Sequence, residues 1–325
     1  MKKAIVLLLA LIITFSFNSV VFAKETTKPE LDKDLIILYT NDIHCSIEGG
    51  MGYAGLAALK KQLENDGNYV LLVDSGDAIQ GEPIGTISKG SLPAQLMQAT
   101  GYDLAIPGNH EFDYGMDTFL SIAESSPFPY ISANFRKGSE QVFDAYKIFD
   151  FNGVKIAFVG ATTPTTITSS TPAYFQDTEG NYIYNFCQGN DGADFYAAVQ
   201  AAVDAARAEG ADYVFLLSHL GITYDCSPYT SSELIVATAG IDAVLDGHSH
   251  STIECERIKN AEGKWTLLTQ TGTKFANVGM LLLTKEGNLT TGLLSASAGK
   301  DKTVLAAIEA VFRGRLCRHI EVGAI

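Results

Sequence analysis

The chain has 325 residues, of which 46% are hydrophobic, and it carries a formal net charge of −14. This length and apolar content suffice for one large α/β domain or two modest ones, and they exclude a disordered chain. The acidic charge argues against a nucleic-acid-binding surface, which needs clustered basic side chains. An anionic substrate is still possible if metal cations dominate the local field.

The first 23 residues have the pattern of a secretory signal peptide. Lys2 and Lys3 precede an apolar run over residues 4–17, and Val21-Phe22-Ala23 places small residues where a signal peptidase cleaves. We therefore expect cleavage after Ala23 and a secreted, periplasmic or cell-surface protein without a stable membrane span. An uncleaved membrane anchor is the alternative, although the apolar run is short for a full span.

The rest of the chain alternates predicted strands and helices, which indicates a largely parallel α/β core. A flexible leader is expected over residues 24–33. Strands are predicted over residues 35–40, 69–73, 104–107, 130–134, 146–151, 154–160, 213–217, 241–245, 265–270 and 278–284. Helices are predicted over residues 53–64, 91–100, 116–124, 193–209 and 303–311. The hairpin turn at Asn152-Gly153 and the late strand-rich stretch indicate a mixed sheet or a second sheet.

Two segments lack a regular pattern. Residues 162–190 are interpreted as a long polar loop with aromatics, a place for a cap over a site. Residues 313–325 are basic and aperiodic, so residues 299–325 are interpreted as a linker helix and tail that stop short of a further domain.

The five cysteines stand at scattered spacings without a CxxC pair, so neither a disulfide scaffold nor a cysteine-zinc site is expected. Export permits disulfides, and a single bridge between Cys187 and Cys226 is the candidate. Cys255, Cys317 and Cys45 complete the set, and Cys45 is interpreted as a small packing residue. At least one thiol should stay unpaired.

Five of the six histidines fall in short motifs that follow apolar strands, and a Gly-Asp pair ends one further apolar run. Loops at the carboxyl ends of strands are where open α/β sheets bind ligands, so these side chains should converge. The motifs are Asp42-Ile43-His44, Gly76-Asp77, Asn109-His110, Ser218-His219 and Gly247-His248-Ser249-His250. The sixth histidine, His319, lies outside the set and is interpreted as a surface residue.

Imidazole, carboxylate and amide ligands in one cluster suit two divalent cations, with zinc, manganese, iron or cobalt favoured over calcium. Asp77 on a tight turn can bridge both cations. The i, i+2 spacing of Asp42 and His44, repeated by His248 and His250, points each pair the same way on an extended backbone. Two such cations would lower the pKa of a bridging water to roughly 7, which gives a hydroxide that can attack phosphorus.

His110 directly follows the expected ligand Asn109, and both could contact a bound substrate. Asp113 stands three residues later, so a helical turn would let it orient and charge the His110 imidazole. His110 could then stabilise the transition state or protonate the leaving alkoxide.

Each residue alone has an ordinary explanation. Asp42 could cap a helix, Asp77 could belong to a nucleotide-binding turn, and His219 could be a hydrogen-bonded core histidine. His248 and His250 could lie on a solvated turn. All these explanations must hold together to defeat the joint interpretation as a metal centre.

At these residues the chain resembles the secreted 5′-nucleotidase branch of the calcineurin-like metallophosphoesterases. The resemblance covers roughly residues 34–298, and its most specific segment is the Gly-Asn-His-Glu-Phe-Asp run at 108–113. The other matching segments are Thr40–His44, Asp74–Asp77, Ser218-His219, Gly247–His250 and Gln270–Gly272.

The resemblance implies a four-layer α/β/β/α sandwich whose catalytic domain spans residues 34–298. It implies one metal held by Asp42, His44 and His250, a second held by Asn109, His219 and His248, and Asp77 as the bridge. By the same resemblance, His110 with Asp113 is the catalytic pair.

The chain departs from the family at two places. Cys45 replaces a glycine that is common after the first histidine, a change that affects no expected ligand. The family's C-terminal domain, which supplies aromatics for the base and arginines for the substrate, is expected to be absent.

The leading hypothesis is a secreted two-metal phosphoesterase that cleaves phosphate from a nucleotide or a similar small phosphate ester. A 2′,3′-cyclic phosphodiesterase, a nucleotide-sugar hydrolase or a sulfur-ester hydrolase would use the same centre. A catalytically weak metal-binding fragment is the remaining alternative, and the sequence leaves the oligomeric state open.

Overall fold

The computed structural model describes residues 29–297 and 299–311. The strands, numbered in chain order, are β1 (Leu35–Thr40), β2 (Tyr69–Asp74), β3 (Leu104–Ala105), β4 (Arg136–Lys137), β5 (Glu140–Gln141), β6 (Tyr146–Phe151), β7 (Val154–Thr162), β8 (Tyr184–Asn185), β9 (Tyr213–His219), β10 (Ala243–Asp246), β11 (Thr252–Lys259), β12 (Trp265–Thr271), β13 (Val278–Leu283) and β14 (Leu289–Leu294). The helices are α1 (Gly52–Asn65), α2 (Pro83–Ser88), α3 (Ser91–Thr100), α4 (Met116–Ser125), α5 (Thr166–Ser169), α6 (Ala193–Ala208), α7 (Ser231–Ala237) and α8 (302–311).

The two large sheets each combine a parallel centre with antiparallel edges. The first has the order β14-β13-β1-β2-β3. Strand β2 pairs in parallel with both β1 and β3, whereas β13 pairs antiparallel with both β1 and β14. The second has the order β11-β12-β10-β9-β7-β6, with parallel pairing from β12 through to β7. The predicted mixed, largely parallel core with a second sheet is therefore confirmed.

Alternating side chains on the central strands separate the layers. In β1, Leu35, Ile37 and Tyr39 belong to the core between the two sheets, whereas Ile36 and Leu38 pack towards the helices. This follows because successive residues of a strand face opposite sides of the sheet. Helices α1, α3 and α4 cover the first sheet, and α6 and α7 cover the second. The four-layer α/β/β/α sandwich is confirmed.

Most predicted elements agree with the structure to within a few residues, and the differences have local causes. The strand expected over residues 104–107 ends at Ala105, before Pro107, which has no backbone N–H to donate. The strand expected over 130–134 is reduced to single bridges. Strand β11 was not predicted, because it is an edge strand whose charged residues alternate with partly buried ones.

The predicted Cys187–Cys226 disulfide is wrong. Both residues are free thiols, as is the buried Cys45. The Cys187 thiol donates to the backbone oxygen of Asn134 at 3.5 Å, whereas Cys226 lies buried in the turn Tyr224–Cys226. The two thiols are thus held by different loops.

Some predictions fall outside the described residues. These are the signal peptide over residues 1–23, the first part of the leader, Cys317, His319 and the basic tail. In the described part of the leader, Leu31 is buried in the core between the sheets. Over residues 29–297 and 299–311, every helix is too short or too polar to cross a bilayer.

Candidate metal centre

The predicted ligands meet at the carboxyl ends of strands from both sheets. Asp42 and His44 follow β1, Asp77 follows β2, and Asn109 follows β3 in the first sheet. In the second sheet, His219 is the last residue of β9, and the loop after β10 carries the other two histidines, His248 and His250. The fold therefore gathers seven side chains from five strand ends, as the sequence predicted.

One group of potential ligands consists of Asp42, His44 and His250, with ligand atoms that all lie within 4.8 Å of one another. Nε2 of His250 lies 3.3 Å from Oδ1 of Asp42, and Nε2 of His44 lies 3.9 Å from the same oxygen. The two imidazole Nε2 atoms are 3.0 Å apart. Three ligand atoms thus point at one small volume.

A second group consists of Asp77, His219 and His248. Oδ2 of Asp77 lies 3.1 Å from Nε2 of His219 in this group, and 3.9 Å from Nε2 of His44 in the first. The other oxygen, Oδ1, accepts a hydrogen bond from the backbone N–H of His110 at 2.8 Å. Asp77 therefore keeps a single oxygen for the space between the two groups.

Within the described residues, three buried polar atoms at this place make no hydrogen bond of regular geometry: Oδ1 of Asp42, Oδ1 of Asn109 and Nε2 of His219. Two of them have only ion-pair contacts, Oδ1 of Asp42 with His250 at 3.3 Å and Nε2 of His219 with Asp77 at 3.1 Å. Buried polar atoms are normally paired, because an unpaired one loses its hydration without compensation. A divalent cation is the partner that carboxylate, amide and imidazole ligands share. The donor set and these three atoms therefore fit a pair of divalent cations.

Backbone carbonyls orient two of the imidazoles. Nδ1 of His44 faces the Gln80 carbonyl at 3.1 Å, and Nδ1 of His219 faces the Ser75 carbonyl at 2.7 Å. A ring N–H donated at Nδ1 leaves Nε2 as the ligand atom, which is the usual support of a metal-binding histidine.

Burial and nearby charges shift the pKa values of the ligand histidines in different directions. Burial lowers the pKa of His248 to about 4 and, despite the charges of Asp77 and Asp42, also lowers the pKa of His44. Burial acts in the same direction on His219, but there the charges of Asp77 and Asp42 outweigh it and the pKa is raised well above its usual value. The hydrogen bond to Asp42 also raises the pKa of His250, so in the metal-free protein the carboxylates favour the protonated form of both His219 and His250.

The ligand-bearing turns have left-handed backbone, which few residues other than glycine adopt. Positive φ angles occur at Asp42 (51°), His44 (47°), Asp77 (60°), His248 (76°) and His250 (52°). The expectation of an extended backbone at the i, i+2 pairs is therefore wrong. The side chains converge because the turns interlock through backbone hydrogen bonds, from Asp42 to Gly76 and from His44 to Asp77, each 2.9 Å long. Strain of this kind concentrates at functional sites.

His110 and Asp113 form the contact that the sequence predicted. A short helical turn over His110–Phe112 brings Nδ1 of His110 to 2.6 Å from Oδ2 of Asp113. The His110 ring also lies 5.3 Å, between centroids, from the ring of His44. Burial opposes protonation of His110, but the hydrogen bond to Asp113 and the charge of Asp77 raise its pKa. The pair therefore holds a proton beside the ligand cluster.

Two supporting residues, Asn41 and Gln270, lie in segments that match the family, but the sequence interpretation gave neither of them a role. Asn41 donates from Nδ2 to Oδ2 of Asp42 at 2.6 Å, and Gln270 donates to Oδ2 of Asp246 and to the Gly247 carbonyl. They fix the loops that carry the ligands. The signal that could have found them is their position, since each lies within a strand or next to the end of one, beside the predicted ligands.

Comparison with known proteins places these residues in a family. The model of the calcineurin-like phosphoesterase family matches residues 35–252, more than half of the chain. The 5′-nucleotidase of Diplobatis ommata is 32% identical over 237 residues, which are 67% of this chain and 37% of that protein. Protein UshA of Yersinia enterocolitica is 31% identical over 243 residues, which are 69% of this chain and 42% of that protein. The chain thus spans about two fifths of the length of these curated relatives.

Solved structures agree with the four-layer fold. The 5′-nucleotidase precursor from Thermus thermophilus superposes with a TM-score of 0.73 at 25% identity, over 87% of this chain and 59% of that one. The calcineurin-like phosphoesterase YfkN from Bacillus subtilis superposes with a TM-score of 0.69 at 23% identity, over 88% of this chain and 98% of that one. The resemblance noted in the sequence is confirmed, and the chain belongs to the calcineurin-like phosphoesterase family, with 5′-nucleotidases among its homologues.

Proposed function

We propose that the protein hydrolyses phosphate monoesters of nucleotides, as a metal-dependent enzyme of the 5′-nucleotidase type. The observation that carries the proposal is the pair of adjoining ligand groups, Asp42 with His44 and His250, and Asp77 with His219 and His248. In each group the ligand atoms lie within 4.8 Å of one another. Carboxylates and imidazoles gathered this closely fit a ligand that binds both, as a divalent cation does. Family membership narrows that ligand to the divalent metals of a phosphoesterase.

We assign the residues of the centre as follows. Asp77 lies between the two ligand groups, with Oδ2 3.9 Å from His44 and 3.1 Å from His219, and it would serve both cations. Asp42, His44 and His250 would hold the first cation, and Asn109, His219 and His248 the second. When bound, two such cations supply an activated water and neutralise the phosphoryl oxygens. Zinc, manganese, iron and cobalt all suit this mixture of imidazole and oxygen ligands.

His110 is the proposed proton donor. With Nδ1 held by Asp113 at 2.6 Å, its Nε2 remains for the substrate, and its raised pKa favours the protonated ring. As the bond from phosphorus to the ester oxygen breaks and a bond from phosphorus to the water oxygen forms, Nε2 gives its proton to the leaving alkoxide. Asn109 and His110 would also contact the phosphate, since the His110 ring lies beside the His44 ring of the first ligand group and Asn109 directly precedes it. Asp113 keeps the imidazole charged and in one orientation.

Nucleotides are the proposed substrate class, because the curated relatives include a protein named 5′-nucleotidase. The chain matches less than half of that protein, so the substrate is inferred from the chemistry of the domain. A cyclic nucleotide phosphodiesterase, a nucleotide-sugar hydrolase and a sulfur-ester hydrolase would place the same centre against a different leaving group. A substrate panel separates them.

The decisive experiment measures phosphate release by the purified protein with Mn²⁺, using AMP and 4-nitrophenyl phosphate. Asp77→Asn removes the bridging charge, and Asp66→Asn, at an exposed helix end, is the matched control. We expect the wild type and Asp66→Asn to release phosphate from both substrates, and Asp77→Asn to be slower by about a hundredfold or more. Undiminished hydrolysis after chelation would overturn the mechanism. Two bound metals without turnover would favour the weak metal-binding fragment.

A further inference from the structure

The carboxylate of Asp113 has two different partners, one for each oxygen. Oδ2 faces Nδ1 of His110 at 2.6 Å, and Oδ1 accepts a hydrogen bond from the Ser170 hydroxyl at 2.8 Å. A carboxylate held at both oxygens cannot rotate about its Cβ–Cγ bond without breaking one contact. Ser170 therefore restricts the orientation in which Asp113 meets the imidazole.

The segment that carries Ser170 is itself anchored to the turn of His110. Two phenylalanines that follow Ser170, Phe175 and Phe186, are fully buried and lie 5.3 and 5.6 Å, between ring centroids, from Phe112. Phe112 ends the helical turn that begins at His110. The segment thus contacts this turn twice, through aromatic packing beneath it and through one hydrogen bond beside the ligand cluster.

The backbone around Ser170 is held by its own contacts. Its N–H donates to the Thr166 carbonyl at 3.1 Å, at the end of the short helix α5, and its backbone is extended at φ −98°. Ser169, the preceding residue, is exposed on the last turn of that helix. Ser170 is partly buried, so neighbouring serines differ in burial while sharing one local structure.

We propose that Ser170 is a positioning residue of the proposed hydrolysis, which acts through Asp113 to orient the imidazole of His110. The inference rests on the proposed function, because it assigns to Ser170 a share in the proton transfer from His110. The segment over residues 163–186 is then part of the active site, and it supplies a third member to the His110–Asp113 pair. Its contribution belongs to the chemical step and leaves metal binding unchanged.

The first test compares Ser170→Ala with Ser169→Ala, the matched control, and with Ser170→Thr, which keeps a hydroxyl on extended backbone. With Mn²⁺ and AMP, we expect Ser170→Ala to lower kcat about tenfold, the effect of losing one hydrogen bond to a catalytic carboxylate. KM, metal content and melting temperature should stay close to those of the wild type. Ser169→Ala should equal the wild type, and Ser170→Thr should recover most of the loss.

A double-mutant cycle separates positioning from a general structural role. If Ser170 acts only through Asp113, adding Ser170→Ala to Asp113→Ala should change kcat by less than about twofold. The proposal would be overturned if the two substitutions lowered kcat by independent factors that multiply in the double variant. A Ser170→Ala variant with wild-type kcat would overturn it as well.

A measurement without turnover distinguishes failure of this inference from failure of the proposed function. The Nδ1 proton of His110 should give a downfield NMR resonance that shifts or broadens in Ser170→Ala and not in Ser169→Ala. If the wild type were inactive but the resonance still changed in Ser170→Ala alone, the proposed hydrolysis would be refuted. The effect of the Ser170–Asp113 contact on His110 would still be supported. An unchanged resonance in Ser170→Ala would refute the positioning role, whatever the activity.

Discussion

The backbone N–H of Asp77 donates to Oε2 of Glu111 at 2.8 Å, so a carboxylate outside the ligand groups holds the turn of the proposed bridging ligand. Glu111 also accepts from the N–H groups of Ala78 at 2.8 Å and Gly108 at 2.7 Å. The residue is buried. It ties the loop after β2 to the loop after β3, and both loops carry proposed ligands.

Glu111→Gln should destabilise the protein and weaken its metal binding. A glutamine amide has one N–H₂ group, which would face a backbone N–H that now donates to a carboxylate oxygen. Burial and the charge of Asp77 raise the pKa of Glu111 to about 7, whereas the hydrogen bonds from the backbone N–H groups of Asp77 and Ala78 act in the opposite direction and support the ionised side chain. We expect a loss of about 2–4 kcal/mol in the free energy of unfolding, measured by urea denaturation.

Glu124→Gln is the control for this change, because Glu124 is exposed on α4. It should alter the free energy of unfolding by less than about 0.5 kcal/mol. Equal stabilities of the two variants would show that the hydrogen bonds to Glu111 contribute little to this turn.

The sequence predicted the strand ends well, because apolar runs mark buried strands and polar motifs follow them. His219 was placed correctly for this reason, since it is the last residue of β9. The positions of Asp77 and Asn109 were predicted for the same reason, since these residues follow β2 and β3. The Asp113 contact was predictable as well, because a three-residue spacing on a helical turn is a local relation.

The remaining features depend on contacts between distant parts of the chain. Oδ1 of Asn41 accepts hydrogen bonds from the backbone N–H and the hydroxyl of Thr271, which is 230 positions away. No local sequence pattern predicts this contact. Glu111 lay inside the recognised motif, but the backbone N–H groups it accepts come from another loop. Left-handed turns at Asp42 and His44 were also unpredictable, because their conformation is imposed by the interlocked backbone of Gly76 and Asp77.

Gly279→Ala should destabilise the first sheet strongly. A Cβ at Gly279 would overlap the ring of Tyr39, its partner across the β1–β13 pair. That ring cannot move easily, because it is fully buried and its hydroxyl lies 2.8 Å from the Thr269 hydroxyl in the other sheet. We expect a loss of about 3 kcal/mol in the free energy of unfolding, measured by chemical denaturation.

Gly292→Ala is the matched control for Gly279→Ala. Gly292 is on β14, paired with Met280, and a Cβ there would meet no atom within 4 Å. This variant should keep the stability of the wild type or exceed it slightly. If both variants unfold at the same denaturant concentration, the close packing of Gly279 on Tyr39 is not a constraint on the fold.

Export should remove the first 23 residues. In a secreting host, we expect the mature protein to begin at Lys24, as read by intact mass and N-terminal sequencing. Ala23→Arg should block processing, because signal peptidase requires a small residue at that position. A full-length N-terminus on the exported wild type would instead support the uncleaved membrane anchor.

Metal binding should release a proton from His219 at neutral pH. The charges of Asp77 and Asp42 overcome the opposing effect of burial and raise the pKa of His219 well above 6.5. The metal-free protein therefore carries a protonated His219, whereas a metal ligand must be deprotonated. Affinity for Mn²⁺ or Zn²⁺ should rise with pH, and calorimetry in buffers of different ionisation enthalpy should detect protons released from His219 and from His250, whose pKa Asp42 also raises.

The stability of the metal-free protein should fall as the pH rises, whereas its affinity for metal should increase. Since the folded pKa of His219 is raised, the folded state binds more protons than the unfolded chain. The stabilisation is fully present below about pH 6.5 and is lost as the pH rises through the folded pKa. Chelated protein should therefore melt at a lower temperature at pH 8 than at pH 6. His219→Gln should weaken both this dependence and the proton release, and the part that remains should come from His250, whose pKa Asp42 also raises. A variant that retained both in full would show that another group carries the proton.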